Sequence, residues 1–209
     1  MAIKNFENLN DVHIDVLREL GNIGSGNAAT SLSGLTGQKV RIDVPNVKIL
    51  SFNDAMEFVG GPEKISVGLV VPLLGQVTGM ILYLFGDNFI NAVVEGFFGH
   101  TIDDIRNLAE DEMSRSAVQE IGNIMSGSYV NALSLMSGLT IDIAPPEMRI
   151  DMAGAILSVP AVEFATVGDS VLFINDTFIM NDKKVDSNMI LVPDIPSLNL
   201  IFEKLGVSV

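Results

Sequence analysis

A mixed α/β (α+β) fold with pseudo-two-fold symmetry, its mainly antiparallel sheet flanked by two long helices, is the class that this sequence predicts. Three observations predict it. The chain repeats itself at an offset of 101 residues, with Val16 to Val47 lying over Ala117 to Met148 and 11 of 32 positions identical. Each copy opens with a long segment of helical period. Each then continues into β-branched runs separated by short turns.

The elements follow in order. A helix is expected over about Asp11 to Leu35, then strands over Val40 to Ile49, Ile65 to Leu74 and Val77 to Phe85, the last two joined at Gly75-Gln76. A shorter helix starts at Asp87 and stops at Gly99, and the seam between the copies lies at His100 to Asp104. The second copy predicts a helix over Ala109 to Ser137 and strands over Ile141 to Arg149, Ala153 to Phe164, Ser170 to Met180 and Val185 to Val192. The last two are joined by Asn181-Asp182-Lys183, a length that favours antiparallel pairing. A closing helix follows Asp194, with Pro196 early in it. The offset grows from 101 to 107 along the chain, and the extra residues are expected around Asn181 to Ser187. Two copies of a unit that cannot cover its own sheet share one core, so residues 1–209 are read as one domain of two repeats, about 11–99 and 109–206.

Composition removes several functions. With 12 Lys+Arg against 26 Asp+Glu the net charge is −14, the reverse of what counterion release from nucleic acid requires. Zero Cys excludes thiol chemistry, disulfides and thiolate metal sites, and His13 and His100 are too few and too far apart in sequence to found a histidine metal centre. The N-terminus lacks the basic and apolar regions of a signal peptide, and the apolar run Ile65 to Ile90 is broken by Gly68, Pro72, Gly75 and Gly79 into strands instead of a membrane span. A cytoplasmic protein is expected.

On the first helix Asp15, Glu19, Asn22 and Gly26 fall at i, i+4, i+7 and i+11, a single stripe; Ser116, Glu120, Asn123 and Gly127 repeat it on the second. The plainer reading of any one such stripe is a solvated face. The repeat weighs against that, because other surface positions have diverged (Arg18 against Gln119, Thr30 against Asn131) while the Glu/Asn pair is identical. A carboxamide neither gives nor takes a proton readily, but it can hold a water through one donor and one acceptor; a carboxylate one turn earlier can pair with a lysine. The pair suits hydrolysis in which a partner brings the metal and the phosphoryl group. Gly21-Asn22-Ile23-Gly24-Ser25-Gly26 has the wrong glycine order for a dinucleotide loop, and Ser33 and Ser134 lack a recognisable base. Asp103-Asp104 and Glu110-Asp111-Glu112 read as a solvated acidic approach to the second helix.

The stretches DVLRELGNIGSGNAATSLSGLTGQKVRIDVPNV and SAVQEIGNIMSGSYVNALSLMSGLTIDIAPPEM resemble the duplicated signature of the CheC family of chemotaxis phosphatases. The signature is Asp or Ser, three residues, Glu, two residues, Asn, and a Pro some twenty residues on. It is met by Asp15, Glu19, Asn22 and Pro45, and again by Ser116, Glu120, Asn123 and Pro145. The resemblance implies hydrolysis of the aspartyl-phosphate of the response regulator CheY, with Asn22 and Asn123 positioning the attacking water and Glu19 and Glu120 contacting the regulator's lysine. It implies no cofactor of the chain's own, the divalent metal, Mg2+, residing on CheY. It implies the receptor deamidase CheD as a further partner. A non-catalytic adaptor that binds CheY-P or CheD is the alternative, and intact pairs in both copies favour the enzyme.

Overall fold

A computed structural model describes residues 3–163, 169–180 and 182–207. In chain order the elements are α1 (Asp11–Thr36), β1 (Val40–Ile42), β2 (Asn46–Ser51), α2 (Phe52–Phe58), β3 (Ile65–Gly75), β4 (Gly79–Phe85) and α3 (Asp87–Phe98). The second copy supplies α4 (Glu112–Ser137), β5 (Ile141–Ile143), β6 (Glu147–Met152), α5 (Ala153–Glu163), β7 (Ser170–Met180), β8 (Lys183–Pro193) and α6 (Ile195–Lys204).

All the strands join one antiparallel sheet, ordered β1-β7-β8-β4-β3-β5, with β2 also on β7 and β6 also on β3. The pairing crosses the seam. The first copy's β1 and β2 lie on the second copy's β7, and the second copy's β5 and β6 lie on the first copy's β3. The pseudo-two-fold axis passes between the central strands β4 and β8, where Tyr83 faces Met189.

One sheet face carries α1 and α4. Tyr83 on β4 meets Ser126 of α4, and Asp176 on β7 meets Ser25 of α1. Gly122 lets α4 settle directly over Leu69 of β3, since a β-carbon there would stand 2.4 Å from the leucine Cδ1. On the same side α3 flanks α4 and α6 flanks α1: Phe89 stacks on Phe85 with ring centroids 4.1 Å apart, and Phe202 meets His13 edge-on at 4.5 Å. The opposite face is covered by α2 and α5, through Phe58 on Phe173 and Ile156 over Gly68. Asn10 and Asp111 cap the two long helices by accepting from the amides of His13 and Ser114, and both helices end on a left-handed glycine, Gly37 and Gly138.

Several expectations need correction. Ala153 to Glu163 is a helix and not a strand, while Phe164 lies outside the described residues. The run AGAILSVPAVE is apolar almost all round, so it shows no helical period; its conformation is set by the sheet it covers, with Ala153, Ile156 and Leu157 buried. The helix α2 was not expected. Val40 to Ile49 and Ile141 to Arg149 are each two short strands, divided just before Pro45 and at Pro145-Pro146, where proline removes a ladder donor. The second long helix begins at Glu112, because Ile105–Ala109 form a separate 3-10 turn capped by Asp104. The extra residues of the second copy sit mainly at α5. Ser51 and Met152 are 101 apart, whereas their strand partners Ser170 and Ile65 are 105 apart, so four residues enter between those points. Of the expected turn, Asn181 lies outside the described residues and Asp182 adopts a left-handed φ of 58°.

Candidate functional site

Each Glu/Asn pair rides on the solvent side of a helix whose other side is anchored in the core. On α1, Leu17, Leu20, Gly21, Gly24 and Ala28 are buried, which turns Asp15, Glu19 and Asn22 outward. On α4, Val118, Ile121, Gly122 and Met125 are buried, leaving Ser116 and Glu120 exposed and Asn123 half-buried. Asp15 pairs with Arg18. Among the described residues the side chains of Glu19, Asn22, Glu120 and Asn123 make no hydrogen bond or ion pair, so their polar atoms face outward for a partner to use.

The proline segments lie beside the pairs. A β-carbon on Gly21 would stand 3.2 Å from Val47 Cγ2 and 3.7 Å from Pro45 Cβ, so buried Pro45 packs against the helix one residue before Asn22. In the second copy Gln119 Nε2 donates to the Pro146 carbonyl at 3.2 Å, and a groove of about 410 Å³ runs between Glu120, Asn123, Ile143 and the Pro145-Pro146 corner. Pro146, directly before β6, holds the structural place that Pro45 holds directly before β2; Pro145 is the exposed neighbour lining the groove. A second groove, of about 530 Å³, lies on the other flank of Glu120 between α1, α3 and α4.

The helices α1 and α4 run antiparallel: Ser25 meets Tyr129, and Leu35 near the end of α1 shares a groove with Met113 near the start of α4. With Ser25 level with Tyr129, Asn22 stands level with about residue 132 of α4, roughly 14 Å along the axis from Asn123. The two pairs therefore occupy one helical layer on the same side of the sheet.

Beneath that layer is a buried polar network that sequence reading missed. The Tyr129 hydroxyl donates to Asp176 Oδ2 at 2.5 Å and the Ser25 hydroxyl donates to Oδ1 at 2.7 Å, while Ser126 reaches the Tyr83 hydroxyl at 3.3 Å. Gly24 makes room for the Tyr129 ring, since a β-carbon would lie 2.5 Å from it. Burial pushes the Asp176 carboxyl up to about 6, against the two hydrogen bonds that favour its charged form. The signal was in the strand parity: Leu172, Ile174, Asp176 and Phe178 share one face, which sets a carboxylate among core residues.

Other candidates resolve as structural. Ser33 Oγ donates to the Ala29 carbonyl and accepts from Val40 N, so it braces the helix end. His13 Nδ1 accepts from Asn10 N inside the helix cap, Asp104 pairs with Arg106, and no cluster of three or more His, Asp or Glu among the described residues could hold a metal ion. A cavity of about 420 Å³ on the α2 side of the sheet, between Phe58, Lys64 and Asn188, is lined by none of the four pair residues. No helix among the described residues is long and apolar enough to cross a membrane. What the ridges offer is an exposed carboxylate on each helix and a carboxamide beside it, exposed on α1 and half-buried on α4, with no metal-binding cluster among the described residues.

Comparison with known proteins agrees with this architecture. A family model described as the CheC-like family matches residues 12–49 and 113–149, which are the two ridge helices with the strands that follow them. The CheY-P phosphatase CheC of Bacillus subtilis is 32% identical over 206 residues, covering 97% of this chain and 98% of that one. The flagellar motor switch phosphatase FliY of the same organism is 30% identical over 156 residues, 71% of this chain and 38% of that one. The crystal structure of Thermotoga maritima FliY superposes with a TM-score of 0.75 at 22% identity, covering 95% of this chain and 98% of that chain, and so shares the fold. With both copies of the signature matched and 32% identity to a curated relative over nearly the full length of both chains, the chain belongs to the CheC-like family.

Proposed function

We propose that this chain is a CheY-P phosphatase with two sites, one on each ridge helix. The observation that carries the reading is the identical Glu/Asn pair, unengaged and outward-facing, on both helices beside a proline segment. Glu19 or Glu120 would pair with the receiver's active-site lysine, fixing the docked geometry through a charge-assisted bond. Asn22 or Asn123 would then hold the attacking water in line with the aspartyl-phosphate, accepting from it through Oδ1 while Nδ2 donates to the phosphoryl oxygens. Water attacks phosphorus, the P–O bond to the aspartate breaks, and phosphate and free carboxylate leave. The divalent cation, Mg2+, would be the receiver's own and would neutralise the phosphoryl charge there. The setting would be the cytoplasm, and CheD as a second partner follows from the family resemblance alone.

The test is the decay of phosphorylated CheY with wild type, Asn22→Ala, Asn123→Ala and the double variant. Each single variant is expected to keep the activity of the other site, and the double variant to leave only the receiver's own decay. A double variant as active as wild type overturns the assignment of the pairs. A wild type that does not speed decay makes the chain an adaptor.

A further inference from the structure

The second pair has a neighbour that its chemistry does not require. Glu120 and Ser116 form one wall of the groove of about 530 Å³ whose other lining includes Leu35, Phe97, Phe98 and Met113. Its apolar residues come from three helices, and two of them are unusually open for their type: Met113 is 65% exposed and Leu35 41%. Met113 precedes Glu120 by two helical turns, about 10 Å. A folded partner covers about 800 Å² on each side of a standard interface, a patch roughly 30 Å across. Anything seated with a cation on Glu120 therefore also covers Met113 and the groove.

The first pair is flanked differently. The C-terminal glycines Gly99 and Gly206 align the closing helices, so Lys204 and Leu205 stand where Phe97 and Phe98 stand in the other copy, and Val12 and Met136 correspond to Met113 and Leu35. An ammonium group in place of a phenyl ring disfavours an apolar guest on that flank, because burying it without a partner is costly.

We propose that the groove between α1, α3 and α4 is a docking slot for the receiver domain, taking an apolar side chain adjacent to its phosphorylated aspartate, and that it serves the second Glu/Asn pair alone. This rests on the phosphatase reading and extends it: the pairs are alike in chemistry, and the flanks make them unlike in affinity. The occupant is the receiver because the groove is continuous with the ridge, sharing Glu120 and Ser116 with it.

The experiment isolates the second pair in the full chain with Asn22→Ala and adds Met113→Ser with Leu35→Ser, both at exposed positions. The initial rate of decay is measured against the concentration of phosphorylated CheY. The half-saturating concentration is expected to rise about tenfold, the loss of two apolar contacts, with the maximal rate changed less than twofold. Val12→Ser in the same background serves as the control and leaves the half-saturating concentration where it was. The same double serine change in the Asn123→Ala background, where only the first pair acts, is expected to alter it less than twofold. A rise of less than twofold in the Asn22→Ala background overturns the proposal, and so does an equal rise in both backgrounds. Failure of the underlying reading shows separately, as wild-type decay by the Asn22→Ala, Asn123→Ala variant before any groove residue is changed.

Discussion

Asp176 should make this protein less stable at neutral pH than at mild acidity, against the usual direction for carboxylates. Its folded carboxyl titrates near 6 instead of 3.8, because burial against α1 and α4 disfavours the charge more than the Tyr129 and Ser25 hydrogen bonds favour it. The groups facing it are Ser25 from α1, Tyr129 from α4, Tyr83 from β4 and, across the ladder, Ser187 of β8, whose buried hydroxyl has no protein partner; none is a cation. A raised folded pKa means that the native state holds the proton more tightly than the unfolded chain. Stability from this group is therefore full below pH 3.8 and is lost as pH rises to 6 and beyond, by about 3 kcal/mol for a displacement from 3.8 to 6. Roughly 2.4 kcal/mol of that falls between pH 4 and 7.5. Asp176→Asn keeps an acceptor for Tyr129 and removes the titration. Urea unfolding of both proteins from pH 4 to 7.5 should show the variant gaining on wild type by about 2 kcal/mol across the range. Parallel stability curves, or a variant that loses ground as pH rises, would refute the reasoning.

Two further outcomes test the helical layer. Gly24→Ala drives a methyl group into the Tyr129 ring, with no open space to receive it, and should cost about 1–3 kcal/mol in denaturant unfolding; a variant as stable as wild type means that the helices cross less tightly. Asp111→Ala removes the cap on the Ser114 amide and a bond from the Ser114 hydroxyl, so α4 should lose about 1 kcal/mol, read as a lower urea midpoint with unchanged slope.

Much of this fold was legible because the chain states it twice. The ridge helices and the hairpins β3–β4 and β7–β8 follow from period and turn residues compared between copies. The helix α5 was not, since Ile156, Leu157, Val159 and Val162 look alike to a periodicity argument whether buried or exposed, and Gly68 beneath Ile156 is distant in sequence. Local preference there yields to the face that needs covering. At the proposed sites, Glu19, Asn22, Glu120 and Asn123 could be named because each pair lies on one helix at fixed spacing. The groove could not, because Leu35, Phe97 and Met113 become neighbours only when α1 and α4 run antiparallel with α3 beside them. Asp176 stood between: its parity in the strand was readable, but its partners Ser25 and Tyr129 were not.

The exchange of β1-β2 and β5-β6 between halves has a consequence for how damage spreads. The segment carrying Pro45, which braces the first ridge, hangs between two strands whose only ladder partner among the described residues is β7, more than a hundred residues away. A lesion in β7 should thus impair the proposed α1 site before the proposed α4 site on its own half, and a lesion in β3 should do the reverse. Inheritance of the two sites is interlocked: neither copy could be released by cutting at the seam without leaving the other's ridge unbraced, so a duplication of this kind binds its halves to one fate.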